Sequence, residues 1–98
     1  MSTILEAPSL PLNLPDTAQW LAGQGAGSWF YIEKTDIDKR HFKILRYSPN
    51  GELECNRIYN SIMPLDITKP YQFSYLSHCA LCTIIQNNKK IILNWIGE

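Results

Sequence analysis

An excess of charge is what this chain most clearly lacks. Nine Lys and Arg balance nine Asp and Glu, and charged residues make up only 18% of the 98. Without a basic field nothing draws in the phosphates of nucleic acid or an anionic lipid surface, so neither nucleic acid nor membrane is expected as a partner. Long apolar runs are missing too; no stretch reaches the roughly 18 residues that begin to span a bilayer. The opening MSTILEAPSL has no basic region followed by an apolar one, which makes a cytoplasmic location the expectation. Cysteine is scarce, and three is an odd number. In that setting thiols are expected rather than a disulfide framework. Paired carboxylates are missing as well. Glu33, Asp36, Asp38, Glu52, Glu54 and Asp66 fall in polar loops or on solvent faces, so no acid/base couple is visible and the chain does not read as an enzyme. No cofactor is expected.

What is present is apolar residue in short, alternating runs. A hydrophobic content of 45% over this length suits one domain with one core. Residues 1–15 carry Pro8, Pro11 and Pro15 among leucines and read as an extended arm lying on the domain that fills 16–98. The PSLP stretch fits PxxP, a pattern too common to assign an adaptor ligand. A short helix is expected next, with Asp16 as its cap, Gln19 three residues on, and Gly23 as its stop. The glycines of GQGAGSWF resemble a phosphate loop, but helix precedes and strand follows, the reverse of what phosphate binding needs. They are read instead as a sharp turn that lets backbone pass close beneath Trp20 or Trp29.

From Ser28 onward the period is two. Strands are expected at 29–34, 41–48, 52–60, 71–77, 81–86 and 91–96. Asn50-Gly51 predicts a hairpin turn of the I′ kind between the second and third, and Asn87-Asn88 marks another turn. In the third strand Leu53, Cys55, Arg57 and Tyr59 share a face, which points Cys55 at the core. The fold class is therefore mainly β: a meander of about six antiparallel strands forming a small barrel or two-layer sandwich, with one short N-terminal helix.

YLSHCALCTIIQ raises the question of chemistry. In a strand Cys79 and Cys82 point to opposite faces and share no metal. As a turn, Cys79-Ala80-Leu81-Cys82 would converge both sulfurs, and Cys55 with His78 or His41 would complete a zinc site. As a helix, the stretch would align Tyr75, Cys79, Cys82 and Gln86. The strand reading, with both thiols as core, is preferred because Thr83-Ile84-Ile85 is β-branched and no second CxxC is present. A metal set of Cys55, His78, Cys79 and Cys82 stands as the alternative.

Tyr and Trp are dense along the β region: Trp29, Tyr31, Tyr47, Tyr59, Tyr71, Tyr75 and Trp95. Such residues bury large area while keeping a polar tip, and they suit interfaces. Trp29, Tyr31, Tyr47 and Tyr59 are the candidate binding residues. The expected function is that of a non-catalytic binding module whose partner is a protein or a second copy in a homodimer. Near-zero net charge does not oppose self-association. Gly27-Ser28-Trp29, after a short helix and opening the first strand, resembles the G-x-W start of lipocalin-like (calycin) barrels. That resemblance implies an up-and-down barrel with the Trp closing one end and a small apolar ligand inside. More broadly, GAGSWF, RYSPNGELEC and YLSHCALCTIIQ together are similar to small bacterial proteins of unknown function, a resemblance that implies no activity.

Overall fold

The computed structural model of the chain describes residues 7–22, 27–35, 40–61, 63–77 and 81–96. Its strands are β1 (Gln19–Leu21), β2 (Ser28–Lys34), β3 (His41–Tyr47), β4 (Leu53–Ser61), β5 (Gln72–Ser77), β6 (Leu81–Gln86) and β7 (Lys89–Trp95). They form one seven-stranded sheet in the order β1-β2-β3-β4-β7-β6-β5, antiparallel at every step. Two meanders, β1–β4 and β5–β7, thus join through β4 and β7. The connection after β4 carries β5 to the far edge, where it meets β1 and the sheet nearly closes on itself.

The closure is made by side chains. Gln19 on β1 donates its amide to the Tyr71 carbonyl at 3.0 Å and accepts from the Phe73 N–H at 2.9 Å. One primary amide thus stands in for a backbone ladder across the seam. The buried Gln86 does the same for the β4–β5 connection. It accepts from the Asp66 N–H at 3.2 Å and donates to the carbonyls of Asp66 and Pro70 at 2.7 and 3.3 Å.

Alternation along the strands builds the core. Phe30 and Ile32 from β2, Phe42 and Ile44 from β3, Tyr59 from β4, Phe73 from β5, Cys82 and Ile84 from β6, and Ile91 and Leu93 from β7 meet Leu65 of the connection in one buried cluster. Every strand but the short β1 contributes, and Leu21 of β1 packs against the cluster's margin. At the β5 bulge between Phe73 and Tyr75, the Ser74 hydroxyl donates to the Thr83 carbonyl at 3.2 Å. A side chain again replaces a lost ladder bond.

The helix expected over 16–22 is not formed, and the described residues contain no helix. Asp16 lies instead in a single turn, closed by Ala18 N–H to Pro15 C=O at 3.0 Å. The chain then pairs Trp20 with Trp29 across β1 and β2. A helix of two turns has little stability of its own, and burying an indole against another outweighs it. The sheet therefore has one strand more than expected. The other six strands fall within about two residues of their expected bounds.

The hairpin turns differ in an instructive way. At the tip of β3–β4, Gly51 N–H donates to Ser48 C=O at 2.9 Å and Ser48 N–H to Glu52 C=O at 2.8 Å. Gly51 alone is left-handed there, with φ +90°. A two-residue I′ loop on Asn50-Gly51 needs a backbone donor at position 49, and proline has none, so the loop widens and Gly51 becomes its bulge. The I′ geometry belongs to β6–β7, where Asn87 and Asn88 have φ 54° and 62° between the paired Gln86 and Lys89.

Candidate functional site

On β2 the residues between Phe30 and Ile32 face away from the interior, and β3 presents Leu45 and Tyr47 on that same outer side. Register pairs Trp29 with Tyr47 and Tyr31 with Leu45. Tyr31 and Tyr47 are therefore diagonal neighbours, within reach for rings of that length. Their rings stack at 5.8 Å with only 11° between planes, and the phenol oxygens lie 3.5 Å apart. Both are half-buried. Burial first, then the hydrogen bond to Tyr47 and the charges of Tyr47 and Glu33, hold the Tyr31 phenol well above its ordinary range. Two amphipathic rings with their polar ends together form a ledge on the outer surface.

Next to the ledge is a closed tryptophan pair. Trp20 meets its cross-strand partner Trp29 edge-on, with centroids 5.4 Å apart and planes at 62°. Gly27 lies under the Trp20 ring: an added Cβ would sit 2.4 Å from its Cζ2. Backbone thus passes close beneath Trp20, as the glycine-rich stretch implied. The Nε1–H groups of both indoles are buried and find no acceptor among the described residues. An orphaned buried donor costs about 1–3 kcal/mol, so two in one pair are a feature that needs an explanation.

Of the four candidate binding residues, the structure brings Tyr31 and Tyr47 together at the surface and sets Trp29 beside them, 7% exposed. Tyr59 is separate. It is 1% exposed and lies in the core, where burial above all, and then Cys82, push its phenol up to about 12, partly opposed by Arg57. Residues that sequence reasoning passed over are Trp20, Leu14 and Leu45. Trp20 was hidden by the helix reading, and the other two are buried by packing between segments distant in sequence, which no local pattern displays.

The thiols do not form a centre. Cys82 is a free, buried thiol, pushed up to about 12 by burial. Cys55 is disulfide-bonded, which corrects the expectation of thiols throughout. Register sets Cys82 level with Leu93, and Leu93 level with Ser61. Cys55 is farther along β4 by about 20 Å at strand rise. These two sulfurs cannot share one metal, and Cys55, bridged, is no thiolate. Among the described residues no three His, Cys, Asp or Glu side chains gather. His78 and Cys79 lie outside the described residues.

One further polar group stands at the β2–β4 end. Arg46 Nε donates to the Ser28 hydroxyl at 3.1 Å and to Glu54 Oε1 at 3.2 Å, while Ser28 donates to the same carboxylate at 3.3 Å. Both ends of the ion pair are a third or more exposed, so it contributes little stability. Its effect is to orient Arg46 over the Phe30 ring at 5.8 Å. Among the described residues no helix is long and apolar enough to cross a membrane.

Residues 18–96 match the model of the DUF6695 C-terminal domain, and the chain belongs to that family. No curated protein and no solved structure matches it.

Proposed function

We propose that this member of the DUF6695 C-terminal domain family is a non-catalytic binding module whose working surface is the outer ledge of Tyr31 and Tyr47. The observation that carries the reading is the stacked, half-buried pair with adjoining phenol oxygens. Rigid aromatic rings offer contact area at low entropic cost, and the paired hydroxyls offer orientation. A charge-balanced surface suits a protein partner, including a second copy, better than nucleic acid. The alternative, a lipocalin-like ligand inside the barrel, needs a cavity of at least roughly 300 Å³. Phe30, Phe42, Tyr59, Ile84 and Leu93 meet in that interior instead. The bonded state of Cys55 fits an oxidising setting better than the cytoplasm.

Tyr31→Ser combined with Tyr47→Ser tests the reading, because both rings are on the outer face and the core is left intact. Labelled parent and variant are applied to an array of immobilised peptides, and each is sedimented over a concentration series. Spots or self-association lost selectively in the variant, at unchanged melting temperature, support the ledge. Identical behaviour of the two proteins, or a blank array with a parent that stays monomeric throughout, overturns it.

A further inference from the structure

Two arginines share the inner face of the sheet at the end where β4 outruns its neighbour. On that face Phe42 and Ile44 of β3 and Tyr59 and Ser61 of β4 are buried. The same alternation, followed toward the β3–β4 tip, puts Arg46 and Arg57 on their side. Register sets Arg46 opposite Cys55 and Ile44 opposite Arg57, so the two arginines are diagonal neighbours, about 7–8 Å apart at the backbone. β7 is in register with β4 only over Tyr59–Ser61. The pair therefore lies at the rim of the barrel, and both side chains are half-buried. Each guanidinium is fixed on one side and open on another. Arg46 spends Nε on the Ser28 hydroxyl and on Glu54 Oε1, at 3.1 and 3.2 Å, and its terminal nitrogens meet no acceptor among the described residues. Arg57 is held by stacking: its guanidinium carbon is 3.7 Å over the Trp95 ring, and it meets no carboxylate among the described residues. A cation–π contact of this kind orients the fork while using none of its five N–H donors. Cys55, level with Arg46, is bridged and brings no thiolate to compete for them.

We propose that Arg46 and Arg57 form a two-pronged site for the carboxylate of a small organic acid, whose apolar body lies against Trp95. The charge of the group points to that class. Two guanidiniums against the single Glu54 leave one positive charge, which a carboxylate neutralises, whereas a phosphate group near neutral pH brings closer to two negative charges. The two oxygens of a carboxylate also match the planar fork of an arginine, and such pairs are the strong ones among charged hydrogen bonds. Glu54 is a positioning residue here. By occupying Nε of Arg46 it leaves the terminal nitrogens as the donors that remain. Trp95 is 41% exposed, so ring surface beyond the Arg57 contact is left for an apolar ligand body. The site is on the inner face, at the rim, and stands independently of the Tyr31–Tyr47 ledge on the outer one.

Hexanoate, hexanol and inorganic phosphate, each titrated into the isotopically labelled full chain, test this by nuclear magnetic resonance. The signals to follow are the Nε–H groups of Arg46 and Arg57 and the indole N–H of Trp95. Hexanoate should move all three along one saturating curve with a Kd of about 1 mM, the scale open to a ligand of so few atoms. Arg57→Gln and Arg46→Gln should each weaken it at least tenfold. Arg57→Lys, which keeps the charge and loses the fork, should weaken it by a similar factor. Unchanged amide signals from Ile32 and Ile44 show that a variant has kept its fold, and any one of the three that does so is enough for the comparison. Phosphate that binds as tightly as hexanoate overturns the carboxylate assignment. Hexanol that matches hexanoate reduces the site to apolar contact and overturns it too. So does full affinity in a folded variant, or the absence of saturation with all three compounds.

Discussion

Gly27→Ala is the sharpest perturbation of the tryptophan pair. Gly27 sits at φ +86°, where a side chain strains the backbone, and its Cβ would lie 2.4 and 2.8 Å from Cζ2 and Cη2 of Trp20. Left-handed backbone in a non-glycine residue costs about 1–3 kcal/mol. The ring must also retreat by about 1 Å to reach ordinary contact. It has no slack toward Trp29, whose centroid is 5.4 Å away, so the edge-on contact is lost with about 0.5–1.5 kcal/mol of aromatic pairing. The sum is about 2–4 kcal/mol. For a domain of this size that lowers the melting temperature by roughly 10–25 °C.

The two contributions separate in a double-mutant cycle with Trp20→Ala. With the ring absent, Gly27→Ala should cost only its backbone share, and the coupling between the two positions should be about 1 kcal/mol or more. Urea denaturation followed by far-ultraviolet circular dichroism gives all four free energies, and near-ultraviolet dichroism reports the indole pair directly. A Gly27→Ala protein that melts like the parent would refute the geometry. So would a cost that is identical with and without Trp20, because the clash would then have no part in it.

Gln19→Leu keeps the bulk and removes the amide, leaving the Phe73 N–H and the Tyr71 C=O unbridged; it should cost about 1–3 kcal/mol. Exchange of the Phe73 amide should quicken beyond that of β3, and an unchanged melt would show that the seam is held without Gln19. Asn88→Ala, at φ 62°, should lower the urea midpoint by about 1 kcal/mol while Lys90→Ala, exposed on the neighbouring strand, leaves it in place. Cys82, with its thiol pushed up to about 12 by burial, should resist thiol reagents at pH 8 until the protein unfolds. Its contribution to stability is complete below the ordinary thiol range and drains away as pH climbs toward 12, roughly 4 kcal/mol in all, so Cys82→Ala should flatten the alkaline limb of the stability curve.

How much of this was legible depended on the range of the interaction. Six strands could be read because aromatic and β-branched runs are written into consecutive residues, as in Trp29–Lys34 and Leu81–Gln86. β1 could not, since Gln19–Leu21 is too short to display a period. Its strand character comes from Trp29, on another strand. The Asn50-Gly51 signal located its hairpin but gave the wrong turn, because the deciding residue was Pro49, which removes a donor the I′ loop needs. The ledge was half legible. Tyr31 and Tyr47 stood out as interface residues, yet their stacking is a consequence of register, and Trp29 packs on Trp20 of a strand too short to read. The bonding of Cys55 was not legible, since a sulfur's partner is chosen in space.

A barrel this small has room for one set of inward side chains, and the cluster from Phe30 to Leu93 fills that role with contributions from six of the seven strands. Most of the outer surface follows the usual rule, with Glu33, Lys34, Lys89 and Lys90 exposed and with Ile85 and Ile92, diagonal neighbours on β6 and β7, as open apolar exceptions. The outer ends of β1, β2 and β3 break it. Trp20, Trp29, Leu45, Tyr31 and Tyr47 make a second apolar layer that the core does not need. Stability alone does not account for that layer, because its two indole donors are buried with no acceptor among the described residues. A phenylalanine pair would fill the same space at less cost, so this end of the sheet is where the fold carries a polar group that its own packing does not compensate.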